Sequence, residues 1–444
     1  MTLRQRLKAT AAVAAIIAQL AAQTAPAAAF CGFYVAKADA KLFNKSSKVV
    51  LTRDGQTTAI TMASDYEGSP KEFALVIPVP TFIERRQIGV VDMKTVDHLD
   101  AYTAPRLVEY HDPDPCAPMV AYFNRSGMPM LAAAPAPVVD QVRHKGVTVE
   151  ASYDVGEYDV SVLSAQESDG LTNWLTDNGY KMPDGAGPVL GSYIKQNMRF
   201  FVAKVNLERM ALIGGNYLRP LQVRYDTPKF MLPLRLGTVN ANGPQDLIIY
   251  ALTRNGRIEA GNYRTVKVPT DIDLPVIVKS DFGSVYKAMF DQAVKKENMR
   301  AVFVEYAWDM GNCDPCAADP LSSKELVALG ARWISDEGDK PFRGFQPQGA
   351  NAFVTRLHVR YDAQSFPEDL VFIETKDRSS FQGRYVLRHT FKGTATCDAG
   401  EKYRASLPAR FRQEAANLAR ITGWKQSEIE TRMEVGGQRV KGGK

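Results

Sequence analysis

The sequence predicts an α+β fold: β-rich, antiparallel, sandwich-like sheets with a few packed helices and a helical C-terminus. Three observations carry this. Runs of β-branched or alternating apolar residues recur through most of the chain, and Asp-Gly and Asn-Gly pairs punctuate them. Helical periodicity is confined to a handful of segments, the longest of them near the end.

In chain order, Arg4, Arg6 and Lys8 precede an apolar run from Ala9 to Ala22 and the small residues Ala27-Ala28-Ala29. That is the layout of a secretory signal peptide over residues 1–29, with cleavage expected near Ala29. The apolar run is too short for a permanent anchor, and no later segment comes near the ~18 apolar residues a membrane helix needs. The mature chain is therefore expected to be periplasmic or secreted, with no transmembrane anchor. Phe30 is bulky where a lipidation signal needs a small residue, which argues against lipid attachment at Cys31. The formal charge of +6 falls once the leader's basic residues are removed, and the remaining charges are interspersed. Nothing points to nucleic acid or to a strongly acidic partner.

The strand candidates are 49–52, 57–62, 73–79, 158–163 and 247–252. Asp54-Gly55, Asn242-Gly243 and Asn255-Gly256 are the turns that bound them. Pro78 and Pro80 should cap or edge the third strand, because proline cannot donate to a ladder. Helices are expected at 171–175, stopping at Asn178-Gly179, and at 189–197. A third, 285–296, has Val285, Met289, Ala293 and Val294 on one stripe. Ser322 with Glu325 three residues on is a capping box opening a helix to Leu329. Pro408 to Gly423 places Phe411, Ala415, Leu418 and Ala419 on one face, a short helix follows at 427–433, and the basic tail 440–444 reads as a frayed terminus.

Two internal echoes stand out. Lys195-Gln-Asn-Met-Arg199 and Lys296-Glu-Asn-Met-Arg300 each lead from a helix into a strand, and Leu221-Gln-Val-Arg-Tyr-Asp226 is matched by Leu357-His-Val-Arg-Tyr-Asp362. They point to an internal duplication. The expected organisation is an N-terminal β-rich region at 30–149, helix-plus-sheet units at 150–275 and 276–400, and C-terminal helices with a basic tail at 401–444. The second unit is the longer, and its extra length holds Cys313-Asp-Pro-Cys316 and the capped helix.

The segments Phe30-Cys-Gly-Phe-Tyr-Val-Ala36, Arg53-Asp-Gly55, Phe73 to Pro80, Cys313-Asp-Pro-Cys316 and Leu418-Ala-Arg-Ile-Thr-Gly-Trp424 follow one another along the chain. In this order they resemble the exported bacterial proteins of the domain of unknown function 2330 family, over nearly the whole mature chain. The resemblance implies an exported protein with recurring cysteines and no assigned activity. It transfers no catalytic residue.

In an oxidising compartment Cys31, Cys116, Cys313, Cys316 and Cys397 are disulfide candidates. Sequence leaves the connectivity and the free thiol open. A Cys313–Cys316 bridge would stabilise by roughly 2 kcal/mol on the chain-entropy model, and one from Cys116 to either of them by about 5. The latter would tie the two Asp-Pro-Cys-Ala segments together. A redox role for Cys313/Cys316 needs a helix N-terminus to lower the thiolate pKa; here the helix starts only at Ser322, and Asp314 opposes a thiolate.

No metal site is expected. His98, His111, His144, His358 and His389 stand alone in sequence, without zinc-ligand spacing. His111 lies near Cys116, and the acidic stretch 110–114 reads as a polar loop before it reads as a cation site. His358 and His389 fall in strand patterns as exposed or hydrogen-bonded residues. Gly214-Gly215 reads as a turn. Tyr225 with Lys229-Phe230, and Arg384-Tyr385 with Arg388, could form a carbohydrate or polyanion surface but read first as cross-strand pairs. No nucleophile elbow, zinc-protease, phosphate-loop or dinucleotide signature occurs, so no cofactor is expected. The function expected is a non-enzymatic, disulfide-stabilised envelope protein that binds a protein or polymer partner; the alternative is an exported thiol-disulfide oxidoreductase using Cys313 and Cys316.

Overall fold

The computed structural model of the protein describes residues 27–28, 33–36, 43–67, 73–117, 148–165, 168–180, 182–183, 185–212, 218–239, 241, 243–312, 314, 318–334 and 350–440. The largest sheet runs β15 (Arg264–Lys267), β17 (Ala301–Asp309), β18 (Phe353–Tyr361), β13 (Gln245–Thr253), β3 (Phe43–Asp54), β4 (Thr57–Glu67), β11 (Leu221–Asp226) and β6 (Ile88–Val90). Two short strands join it, β1 (Ala27–Ala28) on β13 and β20 (Phe381–Gln382) on β17. The β1 pairing belongs to the segment that the leader reading removes. A second sheet runs β2 (Phe33–Ala36), β5 (Phe73–Val79), β10 (Arg199–Val205), β9 (Tyr158–Ser164) and β8 (Thr148–Val155). Two small sheets complete the set among the described residues: β12 (Met231–Leu232), β19 (Leu370–Glu374) and β14 (Ile258–Ala260), then β16 (Ile272–Leu274), β21 (Arg384–His389) and β7 (Arg106–His111).

Period-two alternation makes this a sandwich. Alternate side chains of the large sheet, among them Val49, Leu51, Ile60, Met62, Leu247, Ile249, Leu357 and Val359, share one buried cluster with Leu75, Ile77, Val160, Val162, Phe201 and Ala203 of the second sheet. The second sheet's other face, with Ala74, Val76, Phe200 and Val202, packs under α2 (Ser168–Asp177) and α3 (Ala186–Ile194). The large sheet's other face, with Val50, Tyr250, Leu252 and Val354, lies against α1 (Met93–Thr103) and the helix Ser323–Ala328. The order is therefore helices, sheet, sheet, helices.

Pairing is mostly antiparallel, as expected, yet β13 joins β3 in parallel, as β15 does β17 and β7 does β21. Asp54-Gly55 makes its hairpin, with Gly55 at φ 58°. Pro78 lies where β5 has a partner on one side only, opposite Phe200 and past the reach of β2. The capping box of Ser322 and Glu325 is present.

Three short helices escaped the periodicity: α1, α4 (Leu207–Leu212) and α5 (Arg235–Val239). The helices that follow are α6 (Phe282–Lys296), α7 (Ser323–Ala328), α8 (Asp398–Thr422) and α9 (Gln426–Val435). Helix α8 begins ten residues before Pro408, which lies inside it, and ends at Gly423 with φ 74°. Helices α6, α8 and α9 bury Met289, Leu418, Ile421, Ile429 and Met433 with Tyr385 and Leu387 of β21. Val440 joins this core at 3% exposure, and the Gln438 amide donates to Glu414 at 3.0 Å. The start of the tail is thus packed rather than frayed.

The first echo is a local structure. Asn197 and Asn298 both take positive φ where a helix hands over to a strand, but the strands that follow, β10 and β17, lie in different sheets. Among the described residues no helix is long and apolar enough to cross a membrane.

Candidate binding cleft

The site begins with one extra residue. The β17–β18 register pairs Val304 with Leu357 but Tyr306 with Arg356, so Glu305 is a bulge. A bulge re-aims side chains, and this one puts Glu305 on the same face as Arg356 and His358. It also marks a change of partner along the outer edge of β17. Before it, Ala301 to Val304 pair in parallel with β15; after it, Tyr306 and Ala307 pair with Gln382 and Phe381 of β20. The carbonyl of Glu305 accepts from the Gly383 backbone N–H at 2.7 Å. A Cβ on Gly383 would lie 3.1 Å from that oxygen, so glycine permits the close approach.

Glu305 is wholly buried and accepts from Arg356 Nε at 2.6 Å, from His358 Nδ1 at 2.7 Å and from the Tyr286 hydroxyl. Arg356 Nη1 donates to Asp100 Oδ1 at 2.5 Å, and Lys48 Nζ meets Asp100 Oδ2 at 2.7 Å. Asp246 accepts a two-pronged contact from Arg360, 2.7 Å at each oxygen, and lies 3.6 Å from His358 Nε2. The Phe290 ring stacks on His358 at 3.6 Å between centroids.

Burial alone would push these carboxyls up. For Glu305 the charges of His358 and Arg356 outweigh it and hold the carboxyl near 2; for Asp100, Arg356 and Lys48 do the same, also to about 2. Burial works to lower His358, but Glu305 and Asp246 carry its pKa above the ordinary value. The histidine thus lies between two carboxylates that favour its charged form, under a phenyl ring. Such a group braces the sheet against α1 and α6 and is poorly placed to exchange protons with a substrate.

On the far side of the bulge the edge opens into a cleft of about 270 Å³ lined by Thr270, Asp271, Trp308, Asp314, Ser380, Phe381, Gln382 and Arg384. The Tyr306 hydroxyl and the Gln382 amide each donate to Asp314 Oδ2 at 2.9 Å. The Trp308 indole N–H donates to the Asn312 carbonyl at 3.1 Å. Asp271 holds φ 55°, a left-handed conformation that an aspartate tolerates better than most residues, and its carboxylate accepts from Arg384 Nε. Thr270 Oγ1 donates to the Gln382 carbonyl at 2.5 Å and accepts from the Arg384 N–H at 3.1 Å, which ties the rims together.

Of the five cysteines, Cys116 and Cys397 form a disulfide with Cα atoms 6.0 Å apart, and Cys31, Cys313 and Cys316 lie outside the described residues. Of the connectivities that the sequence left open, a link from Cys116 to Cys313 or Cys316 is not the one formed, because Cys116 is taken by a cysteine 281 residues on. Cys397 is the N-cap of α8, its sulfur accepting from the Gly400 N–H at 3.4 Å. The helix-terminal cysteine sought in the C-x-x-C motif is found here instead.

The histidines do not stand alone in space. His98 bridges Glu325 and the Asp319 carbonyl, at 2.8 and 2.9 Å. His111 stacks on its cross-strand partner His389 at 4.5 Å, and His389 Nε2 meets Glu109 at 2.7 Å. His144 and Gly214-Gly215 lie outside the described residues. Among the described residues no group of three or more His, Cys, Asp or Glu side chains is arranged to hold a metal ion. The aromatic and basic residues at 225–230 do not make a surface: Tyr225 and Phe230 are core, with Arg53 over the Phe230 ring. Tyr385 is core as well, while Arg388 pairs with Asp273 and lies over Tyr110.

Sequence reasoning missed both the buried ions and the cleft. The available signal was Glu305 within the otherwise apolar stretch Ala301 to Trp308. No curated protein and no solved structure matches this chain. Residues 25–373 match the model of a family described as an uncharacterized protein conserved in bacteria, DUF2330, a span that includes Cys116 and ends before Cys397 and the Leu418 to Trp424 segment; the chain belongs to that family.

Proposed function

We propose that this is an exported, non-enzymatic binding protein of the bacterial envelope, braced by a disulfide and presenting its sandwich edge to a protein or polymer partner. The observation that carries the reading is the Cys116–Cys397 bridge. A disulfide joining two distant parts of a chain persists where thiols are not held reduced, which agrees with the basic, apolar and small-residue order of residues 1–29. The absence of catalytic motifs and the closed surroundings of His358 favour binding over catalysis. Cell fractionation with N-terminal sequencing of the mature protein should find it outside the cytoplasm and starting near Phe30. Affinity capture from the envelope should return a reproducible protein or glycan; full-length cytoplasmic protein or an empty capture counts against the reading.

The rival is thiol-disulfide exchange at Cys313 and Cys316. Asp314, between them, accepts two hydrogen bonds through one carboxylate oxygen, and a carboxylate there disfavours a neighbouring thiolate. Insulin reduction that vanishes in Cys313→Ala and Cys316→Ala would restore the rival.

A further inference from the structure

We propose that the cleft at the β17 bulge binds a neutral saccharide ring. This rests on the binding reading above and gives it a ligand class. The lining combines one partly exposed aromatic ring, Trp308, and the buried Phe381 of the core, with Thr270, Asp271, Asp314, Ser380, Gln382 and Arg384. A pyranose needs that mixture. Its weakly positive C–H face packs on an electron-rich ring, and its hydroxyls both donate and accept, so they suit a wall where carboxylates alternate with amide, hydroxyl and guanidinium groups.

Size and charge narrow the class. At about 270 Å³ the cleft is below the ~300–1,000 Å³ usual for drug-sized ligands, which suits one ring or the end of a chain. Among the lining residues described, two carboxylates face one guanidinium that is already engaged by Asp271, so an anionic sugar would meet net repulsion. A cationic ligand is disfavoured at Phe381, whose ring has Lys267 Nζ 5.0 Å from its centroid.

The fold supports a preformed site. The bulge and partner switch open the sheet edge here, and Gly383, the bracing by Thr270 and the left-handed Asp271 fix the rim before any ligand arrives. Strain of the last kind collects at ligand sites.

The test uses the oxidised mature protein and saturation-transfer NMR with methyl glycosides of glucose, galactose, mannose and N-acetylglucosamine. Glucuronic acid and glucosamine serve as charged comparators. At least one neutral glycoside should bind, with the charged comparators weaker by about tenfold. Trp308→Ala removes the platform, and Ser380→Trp fills the cleft from an exposed position without touching the core; each should weaken binding by about tenfold or more. Thermal melts confirm that Ser380→Trp is folded. Glycoside binding that survives Ser380→Trp places the ligand elsewhere and overturns the proposal. So does a protein that ignores every neutral glycoside, and envelope capture that persists in that case leaves the binding reading standing without the saccharide. Preference for glucosamine, or capture only of a peptide that Ser380→Trp blocks, overturns it in favour of another ligand.

Discussion

At the scale of single residues, Glu305 decides most. A carboxylate with no exposed surface costs several kcal/mol to desolvate, and here Arg356, His358 and Tyr286 repay that cost with short, charge-assisted contacts. Removing one partner of such a group is worse than removing all of them. Glu305→Gln leaves the Arg356 and His358 charges facing a neutral amide and should lower stability by about 3–5 kcal/mol in urea unfolding. It should also let the His358 imidazole, followed by NMR, titrate at lower pH than in the parent. An unchanged His358 titration would show that the histidine takes its charge from Asp246 alone. Sequence gave a hint of this residue, a charge within an apolar strand, but not its partners. Asp100, Asp246, Tyr286 and Arg356 come from four separate elements.

At the scale of elements, α8 is the instructive case. Read by periodicity it starts at Pro408, since proline usually opens a helix. It starts at Asp398 because Cys397 caps it, Asp398 and Glu401 lie in its first turn, and the disulfide anchors that turn to the loop after β7. The bridge closes a loop of 281 residues, so its loss should cost about 5.5 kcal/mol on the chain-entropy model. Cys397→Ser keeps an oxygen at the N-cap and removes the bridge, whereas Cys116→Ala removes the bridge and leaves the capping sulfur. Both should melt lower than the oxidised parent by similar amounts and lose their sensitivity to reductant. A parent whose melting point ignores reductant would mean that the bond contributes nothing to stability.

At the scale of the whole molecule, layers and ions together set the response to pH. Glu305 and Asp100, held to about 2, contribute stability that is present above the ordinary carboxylate range and is lost as pH falls towards 2. His358, raised above 6.5, contributes stability that is full below 6.5 and is lost as pH climbs through its raised value. Glu414 opposes the carboxylates. Burial lifts it to about 7 against the pull of Arg410 and the Gln438 amide, with Asp273 and Asp112 adding to the rise. Keeping it ionised therefore costs stability, increasingly from pH 4.5 to 7. Maximum thermal stability should lie between about pH 4.5 and 6.5 by scanning calorimetry. Glu414→Gln should raise the melting point at pH 8 and leave it nearly unchanged at pH 4; an equal effect at both values would rule out the titration.

Sequence by itself determined the kinds of element and the positions of those with the clearest periodicity or turn chemistry, because local physics writes them locally. Alternation gives the strands, Asp54-Gly55 its hairpin, Ser322 with Glu325 a helix start, and Gly423 a helix stop. It also limited the bridge to five cysteines. Only the tertiary structure decided that Cys116 takes Cys397, that β13 lies parallel to β3, and that Glu305, His358 and Asp246 share one buried site. Pairing across such distances depends on which faces stack and on a one-residue bulge. A slip of one residue sends every side chain to the opposite face, and no local pattern records where it falls.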